Sequence, residues 1–295
     1  MTLLADTFFF EHVEFIVLFG FVAYFLNAFL QRKGFFKLPP PLSDKSLEPS
    51  ITLFPVIVCF GIYLAVSLLI APVIMQLALF LLRTDSSPML AMSYVQLLTT
   101  CFNIGLLTYF VKTQKHLGSK KIWKNYAAVE AKHPFYDWVV GALTWIPAFP
   151  VVLVVGELAD MFLFYAFGVV SYEQVAVRYL KMTLASPQML TIALFTILVA
   201  APCLEEFLFR GLLQTYMKKV VGTKSAILLG AFAFSLFHMA SSQGLGNISL
   251  VLSLFSFACF LGFIYEKRAS LFASIGLHMT FNAVTTIRIL FFSEP

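Results

Sequence analysis

The chain has 295 residues, of which 60% are hydrophobic and only 12% charged, with a mean hydropathy of +0.89 and a formal net charge of +5. A soluble domain is about half apolar and about a quarter charged, so this composition excludes a soluble enzyme, a disordered chain and a nucleic-acid binder. It leaves an all-α, polytopic helical membrane protein of about eight spans, because each crossing needs about 20 residues plus a loop, and alternating short strands of the β-barrel kind are absent.

Met1 to Glu14 carries Asp6, Glu11 and Glu14 and no Lys or Arg. A cleavable signal needs a basic start, so the first span, 12–31, is expected to be retained. The second lies in the charge-free run from Ile51 to Leu82, which exceeds one bilayer thickness and predicts tilt or a bend near Pro72. The third covers 90–111. The fourth, 138–168, is expected to bend at Pro147 and Pro150. The fifth covers 188–217. The sixth and seventh share the run Ser225 to Tyr265, split by turn-forming residues at 241–247. The eighth covers 270–292. The four cysteines, Cys59, Cys101, Cys203 and Cys259, show no paired spacing and are read as apolar thiols rather than disulfide or metal ligands.

Alternate loops carry very different basic charge. One set holds Arg32, Lys33, Lys37, Lys45, Lys112, Lys115, Lys120, Lys121, Lys124, Lys132, Lys218, Lys219, Lys224, Lys267 and Arg268, and the other only Arg83, Arg178, Lys181 and Arg288. The imbalance puts the first set in the cytoplasm and both termini outside. The stretch Lys112 to Lys132 is expected to lie on the anionic cytoplasmic surface. The polar linker around 113–135 suggests two parts: an accessory region of three spans with its basic linker, 1–133, and a core, 134–295.

Ionisable groups inside spans are costly and are therefore functional candidates. Glu205 and Glu206 are adjacent in span five. Glu206 and Arg210 are four apart with the acid first, the favourable pairing direction. Glu205 points about 100° away around the helix and has no such partner in its own span. It is the better reactive carboxylate, and Pro202 upstream loosens the helix there. In span six, His238 and Glu205 lie equally far from the hairpin turn near 221–222, and so at equal depth. In span eight, His278 and Asn282 share one face. The same arithmetic puts His278 about 10 Å nearer the cytoplasmic turn than Glu205.

A carboxylate base, a second acid or base and neutral donors are the equipment for amide hydrolysis by water. No Ser or Cys stands beside a His as a nucleophile. A zinc site of Glu205, His238 and His278 is chemically conceivable. The chain lacks an H-E-x-x-H helix, so no metal and no other cofactor is expected.

Glu205-Glu206-x-x-x-Arg210, Phe234-x-x-x-His238 and His278-x-x-x-Asn282 resemble the three signature motifs of the CAAX-protease and bacteriocin-processing family, the type II CAAX prenyl endopeptidase group. Leu261-Gly262-x-x-Tyr265 and Ser270-Leu271-x-x-Ser274-Ile275-x-x-His278 are similar to it as well. The resemblance covers about 136–292 and no part of the first three spans. It implies an intramembrane endopeptidase in which Glu205, with His238, activates water. It implies that His278 and Asn282 stabilise the oxyanion and that Glu206 and Arg210 support the site. The expected partners are membrane lipid and a peptide or protein substrate, with a prenyl group on it left open, and no nucleic acid. A bacterial inner membrane suits such a chain. Two other readings are carried alongside: a proton-coupled transporter, motivated by Glu157 and Asp160 on one face of span four, and a non-catalytic scaffold or immunity protein.

Overall fold

A computed structural model describes residues 2–40, 49–81, 88–114, 119–125, 133–169, 174–184 and 186–292. Lys45, Arg83, Lys115 and Lys132, counted above for orientation, lie outside the described residues, as do the side chains of Asp6 and Glu11.

The described chain is built of helices. They are α1 (Thr2–Arg32), α2 (Leu53–Ala65), α3 (Ala71–Leu81), α4 (Pro88–Thr113), α5 (Ser119–Trp123), α6 (Pro134–Phe167), α7 (Val175–Thr183), α8 (Pro187–Phe195), α9 (Ala201–Glu206), α10 (Thr215–Val221), α11 (Thr223–Phe237), α12 (Gly246–Arg268) and α13 (Leu271–Phe292). Among the described residues seven helical stretches are long and apolar enough to cross a membrane, and an eighth apolar helix, Thr223–Phe237, is shorter. The all-α, multi-pass architecture expected from composition is thus the observed one.

Two prolines shape two spans in the same way. α2 runs into α3 through a π-helical turn, Val66–Ile70, followed by Ala71 and Pro72. α8 runs into α9 through another, Thr196–Ala200, followed by Ala201 and Pro202. Proline has no N–H to continue the ladder, and the wider turn before it absorbs the mismatch. The expected bend near Pro72 therefore takes the form of a π-turn. By contrast, α6 continues as one helix through Pro147 and Pro150. Asn27 of α1 donates to the Pro147 carbonyl at 3.1 Å, so a neighbouring helix hydrogen-bonds to this proline-rich stretch.

α6 and α13 cross almost backbone to backbone. A Cβ on Gly141 would strike the Ala273 carbonyl, and one on Gly276 would strike that of Trp138. Close approach through small residues is how helices associate where water supplies no hydrophobic drive. The main apolar cluster joins Val56 and Cys59 of α2, Leu107 and Val111 of α4 and Ile122 of α5 to Leu208, Phe209, Leu212 and Phe234 around the fifth and sixth spans. All four cysteines are free.

The basic linker is divided: Lys112 and Lys120 are exposed, whereas part of the 119–125 segment turns into the protein. Ile122 is fully buried and Lys124 is 4% exposed. Lys124 pairs with the fully buried Asp137 at 2.6 Å, and Arg268 reaches the same carboxylate at 2.7 Å. Asn125 donates its backbone N–H to Ala269, and Trp123 packs its ring against Phe207 and Phe272. A lysine facing a buried carboxylate is better solvated there than its charge count alone suggested.

Candidate active site

The site sits where α9, α11 and α13 meet. Span five is irregular here: α9 is followed by an eight-residue π-helical stretch, Phe207–Gln214. Gly211 faces Ile122 of α5 and Leu271 of α13, where a side chain would collide. The Thr215 hydroxyl donates to the Arg210 carbonyl at 2.9 Å and so occupies an acceptor that the widened turn leaves free.

The two glutamates have different partners. Glu206 is fully buried and accepts from Arg210 at 3.0 Å and from His278 Nδ1 at 2.9 Å, both at Oε1. Arg210, 1% exposed, also donates to the Ala258 carbonyl and lies 4.5 Å over the Phe234 ring. That set holds a buried guanidinium with a carboxylate, a carbonyl and an aromatic face. Glu205 turns the other way, as the helix geometry predicts. Its Oε2 is 3.5 Å from His238 Nε2 and 3.9 Å from His278 Nε2, and it has no hydrogen bond of normal geometry. Glu205 and His238 side chains are 16% and 29% exposed, against 0% and 6% for Glu206 and His278. The first pair is the more open to a substrate, and of the second pair His278 turns Nε2 toward the same spot, 3.9 Å from Glu205 Oε2.

His238 Nδ1 stands 2.8 Å from the Phe234 carbonyl. A carbonyl only accepts, so Nδ1 carries the proton and Nε2 faces Glu205. Nε2 and the carboxylate oxygen then face each other 3.5 Å apart as two acceptors. The ring also packs on Phe234 at 4.5 Å, while Phe234 and Phe257 flank His278.

α11 ends at His238 after only 15 residues, about 22 Å at 1.5 Å per residue, which is shorter than the roughly 30 Å hydrocarbon core. The chain beyond it leaves the helix, and its polar backbone needs partners at that depth. Asn247 supplies them: it accepts from Ala240 N–H and donates to the Ala240 and Gly244 carbonyls.

The depth mismatch for His278 has a structural cause. The α10–α11 turn at Gly222 is exposed, whereas Ser270 and Leu271, which follow α12, are fully buried beneath the 119–125 segment. This recessed turn moves α13 along its axis and brings His278 level with the glutamates. Sequence arithmetic could not see it, because the covering residues lie in a distant part of the chain.

Asn282 lies on the same face as His278, but its amide nitrogen donates to the Ile197 carbonyl at 2.9 Å. Glu157 is paired with His12 of α1, a partner that the sequence did not suggest. Among the described residues no group of three His, Cys, Asp or Glu is arranged to hold a metal ion. Sequence reading also missed Asp137, Lys124 and Arg268. The one available signal was an acid at the start of a span beside a lysine-rich loop.

The family model described as "Type II CAAX prenyl endopeptidase Rce1-like" matches residues 187–284. No curated protein and no solved structure is significantly similar to the chain. The matched segment runs from α8 into α13 and contains Glu205, Glu206, Arg210, His238, His278 and Asn282. Residues 187–284 of this multi-pass membrane protein are thus similar to the type II CAAX prenyl endopeptidases of the Rce1-like kind.

Proposed function

We propose that the protein is a glutamate-dependent intramembrane endopeptidase. It cleaves membrane-associated or lipidated peptides and proteins and resides in a bacterial inner membrane. The observation that carries the reading is the Glu205 carboxylate. Its Oε2 has no normal hydrogen bond and faces His238 and His278, inside a segment that matches a peptidase family.

Glu205 takes a proton from a water as the water oxygen attacks the scissile carbonyl carbon. His238 Nε2 shares that proton, and the pair passes it to the amine nitrogen as the C–N bond breaks. The tetrahedral oxyanion is stabilised by His278. Its Nδ1 donates to Glu206, so it donates to the oxyanion from Nε2 when both ring nitrogens carry protons. Asn282, expected to share this task, has its amide nitrogen on the Ile197 carbonyl. The mechanism uses no metal. Should a metal be present, Glu205, His238 and His278 would hold it.

The test is cleavage of a quenched peptide library, with and without a prenylated member, by purified wild type, Glu205→Ala and Glu206→Ala, each with and without chelator. The reading expects cleavage by wild type, none by Glu205→Ala, and no chelator effect. Loss with chelator that zinc restores replaces the water-activating glutamate with a metal centre. Equal background in all three proteins discards the protease reading for the scaffold or transporter alternatives.

A further inference from the structure

The π-turn that precedes the glutamates leaves one carbonyl without its helical donor. Ala201 closes the turn by donating N–H to the Thr196 carbonyl, five residues back. In that register the next donor would be residue 202, to Ile197. Residue 202 is proline, which has no N–H. Pro202 is buried and the segment lies mid-span, where water does not compensate a free carbonyl. The structure fills this gap from another helix: Asn282 Nδ2 donates to the Ile197 carbonyl at 2.9 Å. Glu205 follows Pro202 by three residues, within one turn.

We infer that Asn282 is a positioning residue: by bonding the carbonyl that Pro202 orphans, it fixes the π-turn of span five to span eight and so sets the direction of Glu205. Asn282 and His278 are four apart on one helix, so the same helix that supplies His278 also aims the carboxylate opposite it. This tie joins the two halves of the site through a backbone carbonyl rather than through substrate. The catalytic part of the inference rests on the peptidase reading, whereas the structural part does not.

The competing assignment is a direct oxyanion donor, and a double-mutant cycle separates the two. Asn282→Leu and Asn282→Ala are made in the wild-type chain and in a Pro202→Ala background. The Pro202→Ala substitution restores an N–H, and the Ile197 carbonyl is then satisfied within span five in either the α or the π register. The inference expects Asn282→Leu to lower the unfolding temperature in detergent by several degrees when Pro202 is present and by much less in the Pro202→Ala background. It expects kcat to fall by about 10²-fold beside Pro202 with KM unchanged, as for a reacting group about 1 Å out of place, and most of that loss to be recovered in the Pro202→Ala background. A stability loss equal in both backgrounds, including failure to fold in both, overturns the inference. A kcat loss that Pro202→Ala does not relieve, with stability relieved, reassigns Asn282 to the oxyanion. If Pro202→Ala alone does not fold, hydrogen exchange of Asn282→Asp decides, since aspartate keeps the shape and cannot donate when ionised. Faster exchange across 198–206 but not in α11 supports the tie, and unchanged exchange overturns it. Absence of any cleavage by wild type sinks the peptidase reading and leaves the stability cycle to judge the tie.

Discussion

Glu205 and Glu206 are neighbours in sequence and opposites in circumstance. Glu206 is neutralised by Arg210 and hydrogen-bonded by His278 through Oε1 in a fully buried place, whereas Glu205 has no guanidinium partner, faces the two histidines without a normal hydrogen bond at Oε2, and is the partly exposed one of the two. Their substitutions should therefore fail differently. Glu205→Gln keeps the shape and removes the base, so cleavage should fall by at least about 10²-fold with the unfolding temperature nearly unchanged. Glu206→Ala strands the buried Arg210 and should lower stability by about 3–5 kcal/mol, lowering activity as a consequence. Thermal unfolding in detergent beside single-turnover cleavage distinguishes the two. A Glu205→Gln protein that cleaves like wild type would falsify its role as base.

Helices and their joints decide where these residues stand. The recessed turn before α13 is held by Lys124, Asp137 and Arg268, with Asp137 fully buried. Asp137→Ala leaves two cations facing each other and should cost about 3–5 kcal/mol. Lys124→Met should cost less, because Arg268 still bonds Asp137 through two nitrogens. Loss of equal size from both substitutions would show that the cluster does not act as described. The α6–α13 crossing makes a sharper demand. A side chain on Gly141 or Gly276 meets a backbone carbonyl, which cannot rotate away. Gly276→Val should therefore yield little folded protein, while Gly20→Val, at a position where nothing lies within 4 Å, should be tolerated. Yield of monodisperse protein from membranes measures both.

Across the whole molecule, the first spans are packed on the helices of the site. Phe60 of α2 meets Phe209 and Phe237, and Tyr63 meets Phe237, the residue before His238. α1 is joined to α6 by the His12–Glu157 pair and by Asn27. Glu157 thus serves an interhelical contact. Glu157→Gln should weaken the attachment of α1, read as faster proteolysis near residue 33, and leave cleavage within about twofold of wild type, as expected of a residue whose partners lie outside the site. Abolished cleavage with α1 still attached would contradict this and favour a proton path through span four.

The sequence alone determined the solvent, the helical class and the span positions, because these depend on runs of apolar residues and on where charges interrupt them. It also separated Glu205 from Glu206 and set His238 level with Glu205, since both follow from helix periodicity and rise over short distances. The tertiary structure decided what depends on distant partners. Lys124 left the surface because Asp137 waits in the protein, His278 gained its depth because the α12–α13 turn is buried, and Asn282 found the carbonyl freed by Pro202. These partners are far apart along the chain or meet only through packing, and in a low-dielectric interior an unpaired polar group is costly enough to dictate the packing around it.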